Sequence, residues 1–133
     1  MKRVLADTHA LLWYLYDAAR LSAAASGALT AATTKGGVLY LSAISLVEMT
    51  YLAEKGRIEE EVVHRVAAAL NDPETSLAVI ALDRVIAESV GLIPRALVPD
   101  MPDRIIAATA LHLGLPLVTR DRAIQGAGIE TIW

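Results

Sequence analysis

Asp7, Glu48, Asp103 and Asp121 are spaced along the chain so that each falls close to a point where an apolar run gives way to a helical pattern. Carboxylates at such junctions can converge on one rim of an α/β sheet. If they do, two of them 4 Å apart repel by about 4 kcal/mol at an effective dielectric near 20, and a bare cluster would protonate or strain the fold. A divalent cation relieves that repulsion. All-oxygen ligation selects hard ions, Mg²⁺ or Mn²⁺, while a chain with no cysteine and three scattered histidines lacks the donors of a structural zinc site. An ion held this way can activate water and neutralise a phosphate, so the chemistry implied is phosphodiester hydrolysis. Asp100 is a possible fifth ligand.

Each acid also has a plainer reading on its own. Asp100 is a good N-cap, and Asp103 three residues later could complete a capping box. Asp7 and Asp121 could cap helices or close turns, and Glu48 alone reads as a solvated helix residue. Arg104 reads first as a partner for neighbouring carboxylates, with phosphate contact as the alternative for both Arg104 and Arg120. His9 reads as a bystander at a helix start. Trp13, Tyr14 and Tyr16 lie on a leucine-rich helix and read as core or subunit-interface residues rather than as a base-stacking platform.

The elements that must position these groups alternate. Residues 4–6 form a short buried strand ending at Asp7, after which Leu11, Leu12 and Leu15 recur at helical spacing. The alanine-rich 22–34 has helix composition, Lys35-Gly36-Gly37 signals a turn, and residues 38–41 form a second strand. Ser42 or Ser45 caps a helix with Ile44, Val47, Tyr51 and Leu52 on its inner face, which stops at Lys55-Gly56. Residues 59–70 are an amphipathic helix opened by Glu59-Glu60-Glu61. Residues 77–82 form a third strand, and Asp83 caps a helix ended by Gly91. After the proline-marked 94–102, residues 103–113 are helical, 117–119 a fourth strand and 129–133 a fifth. Strands alternating with helices predict a three-layer α/β/α fold around a mostly parallel sheet of four to five strands.

Length and composition agree. One core is the normal solution at 133 residues, so a single domain over 1–133 is expected. Hydrophobic residues at 55% suit strands buried on both faces. Asp7 interrupts the first apolar stretch too early for a signal-peptide core, and with no cysteine the cytosol is the expected location. The net charge of −3 supplies no broad basic field for nucleic acid, although two divalent cations would bring it to about +1 and place the charge at the site.

The joint pattern resembles PIN-domain proteins, most closely toxins of the VapC type. The likeness rests on Val4-Leu5-Ala6-Asp7-Thr8-His9-Ala10-Leu11-Leu12-Trp13, on Leu41-Ser42 through Glu48, on Asp100-Met101-Pro102-Asp103-Arg104 and on Leu117-Val118-Thr119-Arg120-Asp121, in that order along the whole chain. It implies an endoribonuclease in which Asp7, Glu48, Asp103 and Asp121 hold Mg²⁺ or Mn²⁺, with Asp100 auxiliary and Thr8 and Thr119 supporting the site. It also implies a homodimer neutralised by a small VapB-like antitoxin. Met101-Pro102 departs from the family, which often has proline followed by a bulky apolar residue, and leaves Asp100 open between ligand and cap. A PIN scaffold that binds RNA or a protein without cutting is the alternative.

Two other classes fit less well. A two-component receiver domain needs a lysine after its last strands, and the last lysine here is Lys55. A nucleotide-binding Rossmann unit needs a glycine-rich loop after the first strand, where this chain has Asp7-Thr8-His9-Ala10.

Overall fold

The computed structural model describes residues 2–34 and 36–133. Its frame is a parallel sheet of five strands: β1 (Arg3–Ala6), β2 (Val38–Ser42), β3 (Leu77–Ile80), β4 (Leu117–Val118) and β5 (Thr131–Ile132), in the spatial order β3-β2-β1-β4-β5. Leu5 is the hinge of the register, aligned with Tyr40 on one side and with Leu117 on the other. The chain thus builds outward from β1 in one direction, then returns to build outward in the other. The reversal between β1 and β4 is where a sheet of this kind opens a crevice at its carboxyl edge.

Among the described residues, seven α-helices connect the strands: α1 (Thr8–Tyr16), α2 (Ala23–Thr33), α3 (Ala43–Glu54), α4 (Glu60–Asn71), α5 (Arg84–Ser89), α6 (Met101–Leu113) and α7 (Arg122–Gln125). Successive strand residues point to opposite faces, and the core divides accordingly. Val4, Ala6, Leu39, Leu41 and Val118 pack with Leu11 of α1, Leu29 of α2, Met49 of α3 and Val66 of α4. Leu5 and Leu117 pack on the opposite face with Ile106 and Ala110 of α6 and Ile124 of α7. These are the three expected layers.

Local chemistry explains most boundaries. Asp7, Ser22, Ser42, Asp83, Asp100 and Asp121 each accept a hydrogen bond from a backbone N–H in the first turn of the helix that follows. Gly114 closes α6 at φ +63°, a left-handed position where a side chain would be strained. Gly37 leads into β2 so close to α2 that a Cβ would lie 2.3 Å from the Ala32 carbonyl oxygen. Lys35, part of the expected turn, lies outside the described residues.

Some boundaries and faces differ from expectation. The fifth strand shortens to Thr131–Ile132, and α5 passes into a 3₁₀ turn over Val90–Leu92 instead of ending cleanly at Gly91. The inward face of α3 is carried by Ser45 and Met49, while Val47 and Tyr51 are 49% and 58% exposed. The helix is apolar almost all round, so hydrophobic spacing could not tell which stripe faces in.

Candidate active site

The carboxyl ends of β1 and β4 lie side by side, and that pairing begins the site. Asp7 follows β1 directly and is half-buried; its Oδ1 accepts from the Ala10 N–H at 2.7 Å, and its Oδ2 accepts from the Thr119 hydroxyl just past β4. Thr119 Oγ1 in turn accepts from the Asp121 N–H at 3.1 Å. The same threonine therefore ties together two of the expected acids.

A second threonine does the same for the third. Thr8 Oγ1 stands 2.5 Å from Glu48 Oε1 and 2.8 Å from Ser45 Oγ, both on α3. Its one proton goes to the carboxylate, the stronger acceptor, which leaves Ser45 as the donor to Thr8. Ser45 is fully buried and was read from sequence only as a possible cap, a role that Ser42 takes. The signal was there in its spacing: three residues before Glu48, it shares that helix face.

Asp103, in the first turn of α6, completes the group electrostatically. Its carboxyl is pushed up to about 7, by burial first and then by the charges of Asp100, Glu48, Asp7 and Asp121. All five expected acids are thus near enough to act on one side chain. Burial also raises Asp7 and Glu48, against the opposing pull of their threonine hydrogen bonds. No ion pair among the described residues involves any of the five. Nor do any three of these side chains stand, among the described residues, in an arrangement that could hold a metal ion.

Asp100 caps α6 through the Asp103 N–H at 3.2 Å. The guanidinium of Arg104 does not pair with a neighbouring carboxylate; its Nε donates to the Ile93 carbonyl at 2.9 Å and ties α6 to the loop before it. Arg120 is exposed beside Asp121. His9 is exposed too, close enough to Asp7 and Glu48 that its positive form favours their ionised forms. Of the three aromatics on α1, Trp13 is half-buried between His9 and Trp133, with ring centroids 5.8 Å away in each case. Tyr14 shares a 2.8 Å hydrogen bond with Thr33, and Tyr16 is exposed.

The family model for the PIN domain matches residues 4–129. The chain belongs to the PIN domain family. This PIN domain is 33% identical over 125 residues to ribonuclease VapC22 of Mycobacterium tuberculosis, covering 94% of this chain and 92% of the relative. Among solved structures, it resembles the VapBC2 structure from Rickettsia felis bound to a promoter DNA fragment, with a TM-score of 0.72 at 16% identity over 97% of this chain and 96% of the other. A toxin–antitoxin complex from Klebsiella pneumoniae aligns at TM-score 0.59 and 27% identity, over 88% and 85% of the respective chains. The likeness expected from the four sequence landmarks is therefore confirmed at the level of family and fold.

Proposed function

We propose that this PIN domain is a Mg²⁺- or Mn²⁺-dependent endoribonuclease, the toxin of a toxin–antitoxin pair. One observation carries the metal: Asp103 feels the charges of four other acids at the carboxyl edge of the sheet, and among the described residues no cationic side chain forms an ion pair with any of the five. An all-carboxylate donor set of that kind fits a hard divalent ion. Asp7, Glu48, Asp103 and Asp121 would hold it once their side chains turn inward from the metal-free arrangement, in which no three of them are placed to ligate together, with Asp100 shared between ligation and its helix cap. Bound there, the ion supplies a water of lowered pKa and charge neutralisation at the phosphate.

The chain's own residues do the positioning. Thr119 and Thr8 fix the carboxylates of Asp7 and Glu48, and each carboxylate oxygen keeps a further lone pair for another partner. Ser45 orients Thr8 from behind. The ribonuclease activity itself is supported by the 33% identity to a ribonuclease across nearly the whole chain. A small antitoxin partner is supported by the toxin–antitoxin complex that this fold matches at 27% identity. Homodimerisation and a cytosolic location complete the proposal, and no helix among the described residues is long and apolar enough to cross a membrane.

The test is cleavage of mixed structured and single-stranded RNAs by the purified protein with Mg²⁺, with Mn²⁺ and with EDTA, beside Asp7→Asn. Metal-dependent cutting absent from the variant is expected. Cutting that persists in EDTA, or in Asp7→Asn at the wild-type rate, would exclude this site as the source; binding of RNA without cutting would indicate a scaffold.

A further inference from the structure

The core grips α6 only from Ile105 onward. Ile105, Ile106, Ala107 and Ala108 are buried, whereas Met101 is 64% exposed and Pro102 and Asp103 are half-buried. The turn before that point carries Asp100 as its cap and Asp103, the acid on which four other charges act. Repulsion therefore loads the least packed turn of the helix. The loop leading in, residues 94–100, gives it little support, because Val98 is its one buried residue and Pro94 and Pro99 have no N–H to donate.

Arg104 supplies what the loop lacks. Ile93 is fully buried in the core on that side of the sheet, so its carbonyl oxygen needs a donor from the protein. The backbone N–H groups of Leu97 and Val98, which could have turned back on it, donate to Pro94 instead. The donor is Arg104 Nε at 2.9 Å, reaching back eleven residues to the point where the chain leaves the core. Among the described residues the guanidinium forms no ion pair.

We infer that Arg104 is a positioning residue: by bonding the core-anchored Ile93 carbonyl it holds the first turn of α6, and with it the backbone of Asp100 and Asp103, where their carboxylates can meet a divalent cation. This rests on the metal-dependent reading above and gives Arg104 a task that needs the direction of one N–H, not a charge for carboxylate or phosphate. Asp100 cannot do the same by itself. Its carboxylate both caps the turn and repels Asp103, and turning it toward a cation releases the cap. The tie from Arg104 to Ile93 is independent of either movement.

The experiment compares wild type with Arg104→Gln, Arg104→Met and Arg104→Lys, residue types of similar helix propensity, so that α6 itself is little changed. Glutamine places a neutral N–H donor the same number of bonds from the backbone as arginine Nε. Methionine ends at that length with no donor, and lysine keeps the charge with its donor one bond further out. Three quantities are read: Mn²⁺ affinity without RNA, from the paramagnetic resonance of the free ion; amide hydrogen exchange in the first turn of α6 in EDTA; and kcat, KM and salt dependence of RNA cleavage. Arg104→Met and Arg104→Lys each weaken Mn²⁺ binding and lower kcat about ten-fold, the low end for losing an outer support of a metal site, while Arg104→Gln stays within about three-fold of wild type. KM and the salt slope hold steady in all three, and the first-turn amides exchange faster in the Met and Lys proteins alone. Should Arg104→Met fail to fold, the order of Gln and Lys decides. Lys outperforming Gln, with a shallower salt slope in Gln, would assign Arg104 to a phosphate and overturn the inference, as would losses in Gln equal to those in Met, or wild-type Mn²⁺ affinity and exchange in every variant. A wild-type protein that binds Mn²⁺ but cuts no RNA overturns the ribonuclease reading alone, and the affinity and exchange data then decide the role of Arg104; one that binds no Mn²⁺ overturns both.

Discussion

Thr119 donates its hydroxyl to the carboxylate of Asp7, a residue 112 positions earlier in the chain. The contact exists because β1 and β4 are neighbours at the point where the sheet reverses its order of growth. Thr119 is itself almost fully buried, so its proton has little competition from water. Thr119→Val keeps the shape and removes the donor, leaving one oxygen of Asp7 free to turn. We expect kcat to fall about ten- to a hundred-fold, the effect typical of losing an outer partner of a metal ligand, while Thr119→Ser stays within a few-fold of wild type. Equal activity in the Val and Ser variants would show that this bond does not position Asp7.

Asp103→Asn separates activity from stability. The charge of Asp103 is opposed by burial and by four other acids, so neutralising it removes repulsion from the metal-free fold. The variant should melt above wild type in EDTA yet lose RNA cleavage by at least about a hundred-fold, the trade expected where a strained cluster serves chemistry. A variant that melts lower in EDTA would mean that Asp103 is held by favourable contacts instead.

The same cluster sets the pH dependence of the metal-free protein. The carboxyl of Asp103 lies near 7 in the fold against 3.8 for its ordinary value, and Asp7 and Glu48 are shifted in the same direction. Between those limits the unfolded chain has released protons that the folded chain still holds, so stability falls as pH rises from about 4 to about 7 and levels off above. Mn²⁺ binds the ionised acids and should reverse the trend, stabilising more as pH rises. Thermal melts of wild type and Asp103→Asn at pH 4.5–8, with EDTA and with Mn²⁺, measure both effects. Melting points of wild type minus variant that are flat across this range in EDTA would refute the assignment.

The sequence showed the frame more readily than the contacts. Asp7 and Asp121 could be placed at strand ends because short apolar runs bounded by helix caps have a readable period, and the three-layer fold followed from the alternation. What could not be read were partnerships across the chain. Ser45 looked like a cap because serine caps are local, whereas its bond to Thr8 depends on how α3 packs beside α1. Arg104 looked like a carboxylate partner because acids surround it in sequence, but α6 points it at the Ile93 carbonyl.

Leu5 tests whether the site depends on the sheet beneath it. Its side chain is fully buried against α6 and α7, its backbone N–H donates to the Pro116 carbonyl at 3.0 Å, and it lies two residues before Asp7. Leu5→Ala should cost about 2–5 kcal/mol, the range for a buried leucine whose cavity cannot fully collapse. Leu92→Ala, at a position 69% exposed, should cost less than about 0.5 kcal/mol and serves as the control. Because β1 and β4 carry Asp7 and Thr119 on their ends, any shift of β1 into the cavity would move the two apart. We therefore expect Leu5→Ala to lose activity, at temperatures where it remains folded, by more than its unfolded fraction explains; a loss that tracks the unfolded fraction alone would show the Asp7–Thr119 pair to be independent of packing under β1.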